Sequence, residues 1–262
     1  MSKSPGFYPP VRLFPEAFHT ARRRRTGFTL VEMLVVIAIL AILAALLFPA
    51  ISKALGKAQE ADAQQDLRAI HAATVQYLTD HDGAFFSQFD YAGPGGAWGN
   101  LWVDKLQDYL PAQGVVSGTG GRNPVFYSVK VKQANRWIAD YAPSDNLMSE
   151  SDSQSPLSAV RLVTVRRPTQ EVMFVEGANN SPPGKVPESS GAFNIWAKQL
   201  VMGNFTYPNT IARRHGGTGA EAFYVVFCDG HSARISFKEF SNDKDLRQTM
   251  FSANAGGNSI YR

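Results

Sequence analysis

Two histidines and one aspartate near the C-terminus are the residues best suited to bind a metal ion. His215, Asp229 and His231 would supply two imidazoles and one carboxylate, a known ligand set for divalent metals. An aspartate before a glycine, however, commonly hydrogen-bonds the backbone of its own turn. The pattern therefore favours a structural role. A metal-dependent enzyme or binding protein with a site near these residues is the alternative.

The rest of the sequence carries no other pattern of a catalytic site. It contains no Gly-x-Ser-x-Gly, Walker, His-Glu-x-x-His or Gly-x-Gly-x-x-Gly motif. Cys228 is the only cysteine, which excludes an internal disulfide and a cysteine-based metal cluster within one chain. We therefore predict no enzymatic activity and no cofactor. The four tryptophans are expected in the core or in subunit contacts; they are Trp98, Trp102, Trp137 and Trp196.

The positive charge of the chain is concentrated at its N-terminus. The formal net charge is +4 over 262 residues. Residues 1–27 hold six basic side chains against Glu16, so residues 28–262 are close to neutral. Such a remainder lacks the basic surface that nucleic-acid binding requires. We predict no nucleic-acid partner.

One glutamate lies inside a long apolar segment. Residues 28–48 carry a single charge, Glu32, and as a helix they would span roughly 31 Å, close to the hydrocarbon thickness of a bilayer. Arg22–Arg25 precede the segment and predict a cytoplasmic N-terminus with an exported C-terminal part. A carboxylate there costs about 2–3 kcal/mol. Glu32 should therefore have a partner, unless its side chain extends to the interface.

Three interpretations of this N-terminus compete: a secretory signal peptide, an uncleaved signal anchor, and a leader cut before the apolar segment. A secretory signal needs small residues after a shorter apolar region, and Phe48-Pro49-Ala50-Ile51 fits poorly. The position of the cleavage site separates the interpretations.

Gly27-Phe28-Thr29-Leu30-Val31-Glu32 closely resembles the processing site of type IV pilins and type II secretion pseudopilins. The resemblance implies that a prepilin peptidase cleaves after Gly27 and N-methylates Phe28. It also implies that Glu32 pairs with the Phe28 amine of a neighbouring subunit during assembly. The leader of 27 residues is longer than the short leaders of many pilins, which leaves the start codon open.

A second resemblance lies near the C-terminus. Arg214-His215-Gly216-Gly217, an apolar strand and Asp229-Gly230-His231 resemble the His-X9-Asp-Gly motif of a subgroup of pilin-like proteins. Thirteen residues separate His215 from Asp229 here, and the four extra positions are expected within residues 218–221. Asp229-Gly230 predicts a type I′ two-residue hairpin turn.

A long helix must position the N-terminal site. The apolar segment continues into an amphipathic pattern of period 3.6 that ends near Gly83, a helix-terminating residue. Pro49 predicts a bend. We therefore predict a helical stem over residues 28–80, with a transmembrane half and an amphipathic half.

The remaining residues favour strands and loops. The predicted strands are 125–131, 136–142, 159–165, 171–176, 222–228 and 231–237, with a short helix from Trp102 to Leu110. The predicted fold class is α+β, a long N-terminal helix packed on a mainly antiparallel sheet. The predicted domains are a leader (1–27), the stem (28–80) and an extracytoplasmic globular domain (81–262).

Together, these features of the sequence predict a structural subunit of a pilus-like or pseudopilus-like filament. Its partners would be the prepilin peptidase/N-methyltransferase, other pilin or pseudopilin subunits, and inner-membrane lipid before assembly. The precursor would cross the inner membrane once, with its C-terminal domain in the periplasm.

Overall fold

The computed structural model describes residues 27–92, 97–111, 122–128, 139–148, 160–178, 210–216 and 219–251. The chain divides into two compact units, residues 1–50 and 51–262. In the first unit the described part is the start of a helix with exposed apolar side chains. The second unit holds the rest of this helix and the sheet.

Helix α1 (Leu30–Asp80) forms the predicted stem and continues through Pro49. Its second half is amphipathic, because the buried positions recur every three or four residues. These positions are Ala63, Leu67, Ile70, Ala73, Thr74 and Leu78. The bend at Pro49 stays a prediction.

The end of α1 lies where the sequence predicts it. Gly83 donates its backbone N–H to the Leu78 carbonyl at 2.7 Å, the six-to-one bond of a Schellman cap. Asp82 and Gly83 both have positive φ, +52° and +75°. Asp82 therefore takes the first left-handed position and Gly83 the next, so the stop signal involves two residues.

The main sheet is antiparallel and confirms the α+β class. The strand order is β3 (Tyr141–Pro143), β4 (Val172–Ala178), β6 (Ala222–Phe227) and β7 (Ser232–Ser236), and the short β5 (Thr210–Ile211) also pairs with β4. Phe223 lies opposite Ile235 in the β6–β7 hairpin. The predicted strands 171–176, 222–228 and 231–237 are confirmed within a residue or two.

Both faces of this sheet are covered. Tyr224 and Val226 share one cluster with Leu67 and Ile70 of α1. Phe223 and Val225 belong to a second cluster that contains aromatic residues of the C-terminal helices α3 (Phe237–Asn242) and α4 (Lys244–Phe251). Because alternate residues of a strand point to opposite faces, every residue of β6 is buried.

The C-terminal helices are absent from the sequence prediction. The signal that was missed is the N-cap of α3, where the Glu239 N–H donates to the Ser236 hydroxyl at 3.4 Å. Phe240 and Phe251 then pack edge-to-face, 5.9 Å apart. Because β6 is apolar on both faces, a second layer of structure must cover the face that α1 does not contact.

Three predicted strands are wrong in whole or in part. Residues 124–126 and 162–164 form 3-10 helices, in the first because Pro124 lacks a donor and the Asn123 side chain accepts the Val125 N–H. Strand β3 begins only at Tyr141, and residues 129–138 and 159 lie outside the described residues. The chain also forms a hairpin, β1 (Phe89–Ala92) with β2 (Ala97–Leu101), that was not predicted.

The helix predicted from Trp102 to Leu110 is confirmed as α2 (Trp102–Leu106), followed by a 3-10 turn over Gln107–Tyr109. Trp102 is buried in the core against Phe126 and Phe174, as predicted. The Trp98 side chain, Trp137 and Trp196 lie outside the described residues.

Candidate functional site

The segment before α1 holds the predicted processing residues. Gly27 and Phe28 are non-helical, and the Phe28 side chain is 76% exposed. A Cβ built on Gly27 would meet no atom within 4 Å, and Gly27 has no positive φ. Neither packing nor backbone conformation in the described structure requires glycine at this position.

Glu32 is held by a reciprocal cap at the start of α1. The Thr29 backbone N–H and hydroxyl donate to Glu32 Oε2 at 2.7 and 2.8 Å. The Glu32 N–H donates back to the Thr29 hydroxyl at 3.2 Å. This arrangement is a capping box. Its sequence signal is a threonine followed three residues later by a glutamate, Thr29-x-x-Glu32.

The capping box changes the expectation for Glu32. Its carboxylate already accepts two hydrogen bonds within its own helix, so it does not depend wholly on a neighbouring subunit. Both bonds use Oε2. The other oxygen, Oε1, accepts no side-chain or backbone hydrogen bond from the part of the chain that the structure describes.

Beyond the cap, α1 is long and apolar enough to cross a membrane, judged by length and composition alone. Its apolar side chains from Leu30 to Leu55 are largely exposed. Exposed leucine and isoleucine over this length are costly in water, which is consistent with a lipid or protein environment for this part of α1.

The first half of the C-terminal motif lies inside the protein. The His215 Nε2 atom is 2.9 Å from Glu176 of β4, and both side chains are fully buried. The Tyr224 backbone N–H donates to Glu176 Oε2 at 2.8 Å. His215 therefore joins β4 to β6 from inside the sheet.

Arg214 extends this buried polar network. Its guanidinium donates to the carbonyl oxygens of Asp140 and Gly177, at 2.8 and 2.6 Å, and lies 3.7 Å from the carboxylates of Asp140 and Glu176. The positive charge therefore lies beside two buried carboxylates. Such charges are tolerated in a core only when they are paired.

Gly216 is required by its surroundings. Its φ is +84°, and a Cβ there would collide with the Ala220 carbonyl oxygen. The neighbouring Gly217 lies outside the described residues.

The second half of the motif forms the β6–β7 turn, but not the predicted type I′ turn. Asp229 has no positive φ, whereas Gly230 has a φ of +91°. The Gly230 N–H donates to the Phe227 carbonyl at 2.9 Å, and the Phe227 N–H donates to the His231 carbonyl at 3.0 Å. The turn is therefore a three-residue loop, a type I turn followed by a left-handed glycine.

The fold separates the three residues considered as metal ligands. His215 pairs with Ala222 at the start of β6, whereas Asp229 and His231 follow the end of that strand, about 20 Å away for a six-residue strand. His231 Nδ1 lies 2.6 Å from Asp229 Oδ1, and His215 contacts Glu176. Among the described residues no group of three potential ligands could hold a metal ion. The alternative metal site therefore has no support.

Two tyrosines of the sheet contact carboxylates of the stem. The Tyr141 hydroxyl donates to Asp66 Oδ2 at 2.9 Å, and the Tyr224 hydroxyl donates to Glu60 Oε2 at 3.3 Å. Burial, together with repulsion from nearby carboxylates, raises the pKa of Asp66 to about 7. The hydrogen bond from Tyr141 lowers this pKa, but it offsets only part of the increase. The carboxylates are Asp62, Glu176 and Asp140.

This contact predicts a pH-dependent stability. Between the ordinary pKa of 3.8 and the folded value of about 7, the folded state keeps a proton on Asp66 that the unfolded state releases. Stability from this group is therefore lost as pH rises through 7. We expect Asp66→Asn to stabilise the protein at pH 8 by up to about 3 kcal/mol and to have little effect near pH 4.

The measurement is the unfolding midpoint of wild type and Asp66→Asn between pH 4 and pH 8. Glu171, whose pKa burial raises to about 8, gives a slope of the same sign in both proteins, and it cancels in the difference. A difference between the two proteins that does not change with pH would contradict the prediction.

The comparisons with known proteins concern the N-terminus. Residues 22–48 match the prokaryotic N-terminal methylation motif. A stretch of 60 residues is 43% identical to type II secretion system core protein G of Pseudomonas aeruginosa, and it covers 23% of this chain and 42% of that protein. The match thus spans less than half of the relative. No solved structure matches the chain significantly. These findings support a pilin-like or pseudopilin-like protein, and the His-X9-Asp-Gly motif stays a prediction.

Proposed function

From the premise of a prepilin-type N-terminus, we propose that this protein is a structural subunit of a type IV pilus-like or type II secretion pseudopilus-like filament. The observation that carries the proposal is the match of residues 22–48 to the N-terminal methylation motif. The similarity to a secretion-system core protein supports it. No observation among the described residues favours a membrane-anchored enzyme or binding protein instead.

The proposed maturation is cleavage after Gly27 and N-methylation of Phe28 by a prepilin peptidase/N-methyltransferase. An exposed Phe28, and a glycine that the fold does not require, are consistent with a site selected for recognition by another protein. Cleavage removes the basic leader and leaves α1 as the anchor. The domains would then be the leader (1–27), the stem (28–80) and a periplasmic domain (81–262).

In the proposed assembly, Glu32 pairs with the methylated Phe28 amine of a neighbouring subunit. The capping box supports this role because it holds the carboxylate at the start of the helix through Oε2 and leaves Oε1 for the amine. Before assembly the exposed apolar side chains of α1 would contact inner-membrane lipid, and in the filament they would contact other stems. The function is non-enzymatic.

Processing provides the test. We expect intact-mass and N-terminal peptide analysis of the membrane-extracted protein, made in cells with a prepilin peptidase, to show an N-methylated Phe28 terminus. Gly27→Val should block cleavage, because the peptidase recognises the residue before the cut. Recovery of wild-type protein with an uncut Met1 terminus would contradict the proposal.

Gly56→Val is the matched control. Gly56 also lies in open space and has no positive φ, but it is in the middle of α1. We expect it to be processed like the wild type.

A further inference from the structure

The β6–β7 turn lies directly against α1. His71 of α1 is partly buried, and its Nε2 atom is 3.2 Å from the Cys228 carbonyl oxygen. Because a carbonyl can only accept, Nε2 is the donor. This hydrogen bond joins the first residue of the turn to the stem across 157 positions of sequence.

Gly230 makes the second contact with His71. A Cβ on Gly230 would lie 2.9 Å from Cε1 and 3.2 Å from Nδ1 of the His71 ring. Carbon atoms do not approach so closely without displacement. The imidazole thus occupies the space that a side chain at position 230 would need. A side chain at position 230 would have to displace the His71 ring, in addition to adopting a positive φ.

The turn is also held by the segment before β4. The Cys228 N–H donates to the Glu171 carbonyl at 3.0 Å, and the Asp229 N–H donates to the Pro168 carbonyl at 3.2 Å. The Asp229 carboxylate meanwhile accepts the N–H of His231 at 3.2 Å. The backbone of the turn therefore makes the docking contacts, and the aspartate side chain keeps the turn in shape.

We propose that the Asp229-Gly230 turn is a docking element that fastens the C-terminal hairpin to the stem, with His71 as its receptor. His71 follows the buried Ile70 and precedes the buried Ala73 and Thr74, so it lies at the margin of the buried face of α1. There it can donate a hydrogen bond without losing the apolar contacts beside it.

The docking role of this turn is separate from filament formation, because neither the processing site nor Glu32 lies in this part of the chain. The hairpin carries β6, one of the strands that contribute residues to both core clusters. The docked turn therefore connects the second half of α1 to a strand inside the sheet. Loss of the contact would release the turn first and then the hairpin.

The test compares Gly230→Ala with Gly219→Ala in the full-length protein in detergent micelles. Gly219 also has a positive φ, +82°, but a Cβ there would meet nothing within 4 Å. Both substitutions carry the same backbone strain and the same effect on the unfolded chain. We expect Gly219→Ala to raise the unfolding equilibrium constant about tenfold and Gly230→Ala to raise it at least about tenfold more.

The decisive measurement repeats the comparison of the two glycine variants in a His71→Ala background. In that background the imidazole is absent, so Gly230→Ala should cost no more than Gly219→Ala. Equal costs for the two glycines with His71 present would overturn the proposal. So would an excess cost at Gly230 that persists in the His71→Ala background.

A second measurement applies if Gly230→Ala does not fold. In His71→Ala alone, we expect the amide protons of Phe227 and Gly230 to exchange at least about fivefold faster, the effect of one lost hydrogen bond. The Ser144 amide, which donates to Met173, should be unchanged. Unaltered exchange in the turn would contradict the proposal. Neither measurement requires a filament, so each is independent of the proposed function.

Discussion

Replacing Glu32 with alanine is expected to leave the protein inserted in the membrane but to reduce its incorporation into filaments at least about tenfold. Removing a carboxylate that costs about 2–3 kcal/mol in a bilayer makes insertion easier. It also leaves the methylated Phe28 amine of a neighbouring subunit without a counter-ion. The measurement is the ratio of sheared or purified filament subunits to membrane-bound subunits, by immunoblot.

Two further variants separate charge from helix capping. Glu32→Gln retains a side chain that can complete the capping box with Thr29 but has no charge, so we expect it to fail as Glu32→Ala does. Thr29→Val removes the side chain of the cap and keeps the charge, so it should assemble better than either. Normal assembly of Glu32→Gln would show that capping, not pairing with an amine, is the role of this residue.

The second large effect is expected at Glu176. Its carboxylate accepts hydrogen bonds from His215 and from the Tyr224 N–H, and it lies 3.7 Å from the Arg214 guanidinium. Glu176→Gln keeps the shape but removes the charge, so Arg214 retains only Asp140 as a buried counter-ion, and an amide NH2 donor replaces one of the carboxylate oxygens that face these donors. Breaking a buried ion pair in this way costs about 3–5 kcal/mol. For a domain of this size, we expect the midpoint of thermal unfolding to fall by about 8–15 °C.

Glu171→Gln is the matched control for Glu176. Glu171 is also buried in the sheet region, 3% exposed, but burial raises its pKa to about 8, so it is largely protonated at pH 7. Its replacement by glutamine therefore removes little charge, and the midpoint should move by no more than about 2 °C. Equal shifts for the two variants would mean that the network around Glu176 contributes shape but not electrostatic stability.

The stem and the C-terminal hairpin could be predicted because their signals are local. The end of α1 depends on Asp82 and Gly83 and on periodic apolar residues before them. The hairpin depends on an apolar run followed by Asp-Gly and an alternating strand. The turn type was wrong because Asp-Gly is compatible with more than one loop length, and the bonds that Cys228 and Asp229 make to the segment before β4 select the longer one.

The packing of α3 and α4 on the second face of the sheet could not be predicted in the same way. Phe240 and Phe251 lie in two short helices with many charged residues, so the burial of both rings becomes evident only when these helices pack on β6. The strand predicted over residues 159–165 is also wrong because the structure of this segment depends on a contact with a distant part of the chain. Bridges at Arg161 and Val165 flank a 3-10 turn there, and the bridge of Arg161 is to Ala84 at the end of the stem.

The sequence by itself predicts the N-terminal site, because a glycine, a phenylalanine and a glutamate at fixed spacing at the start of an apolar segment act through the covalent chain and one helix. Only the tertiary structure decided the role of the C-terminal motif. His215 and Asp229 belong to one sequence motif, yet they lie at opposite ends of β6. Their partners, Glu176 for His215 and His71 for the turn, come from other elements. No local pattern encodes such contacts, since they arise when the sheet packs on the stem.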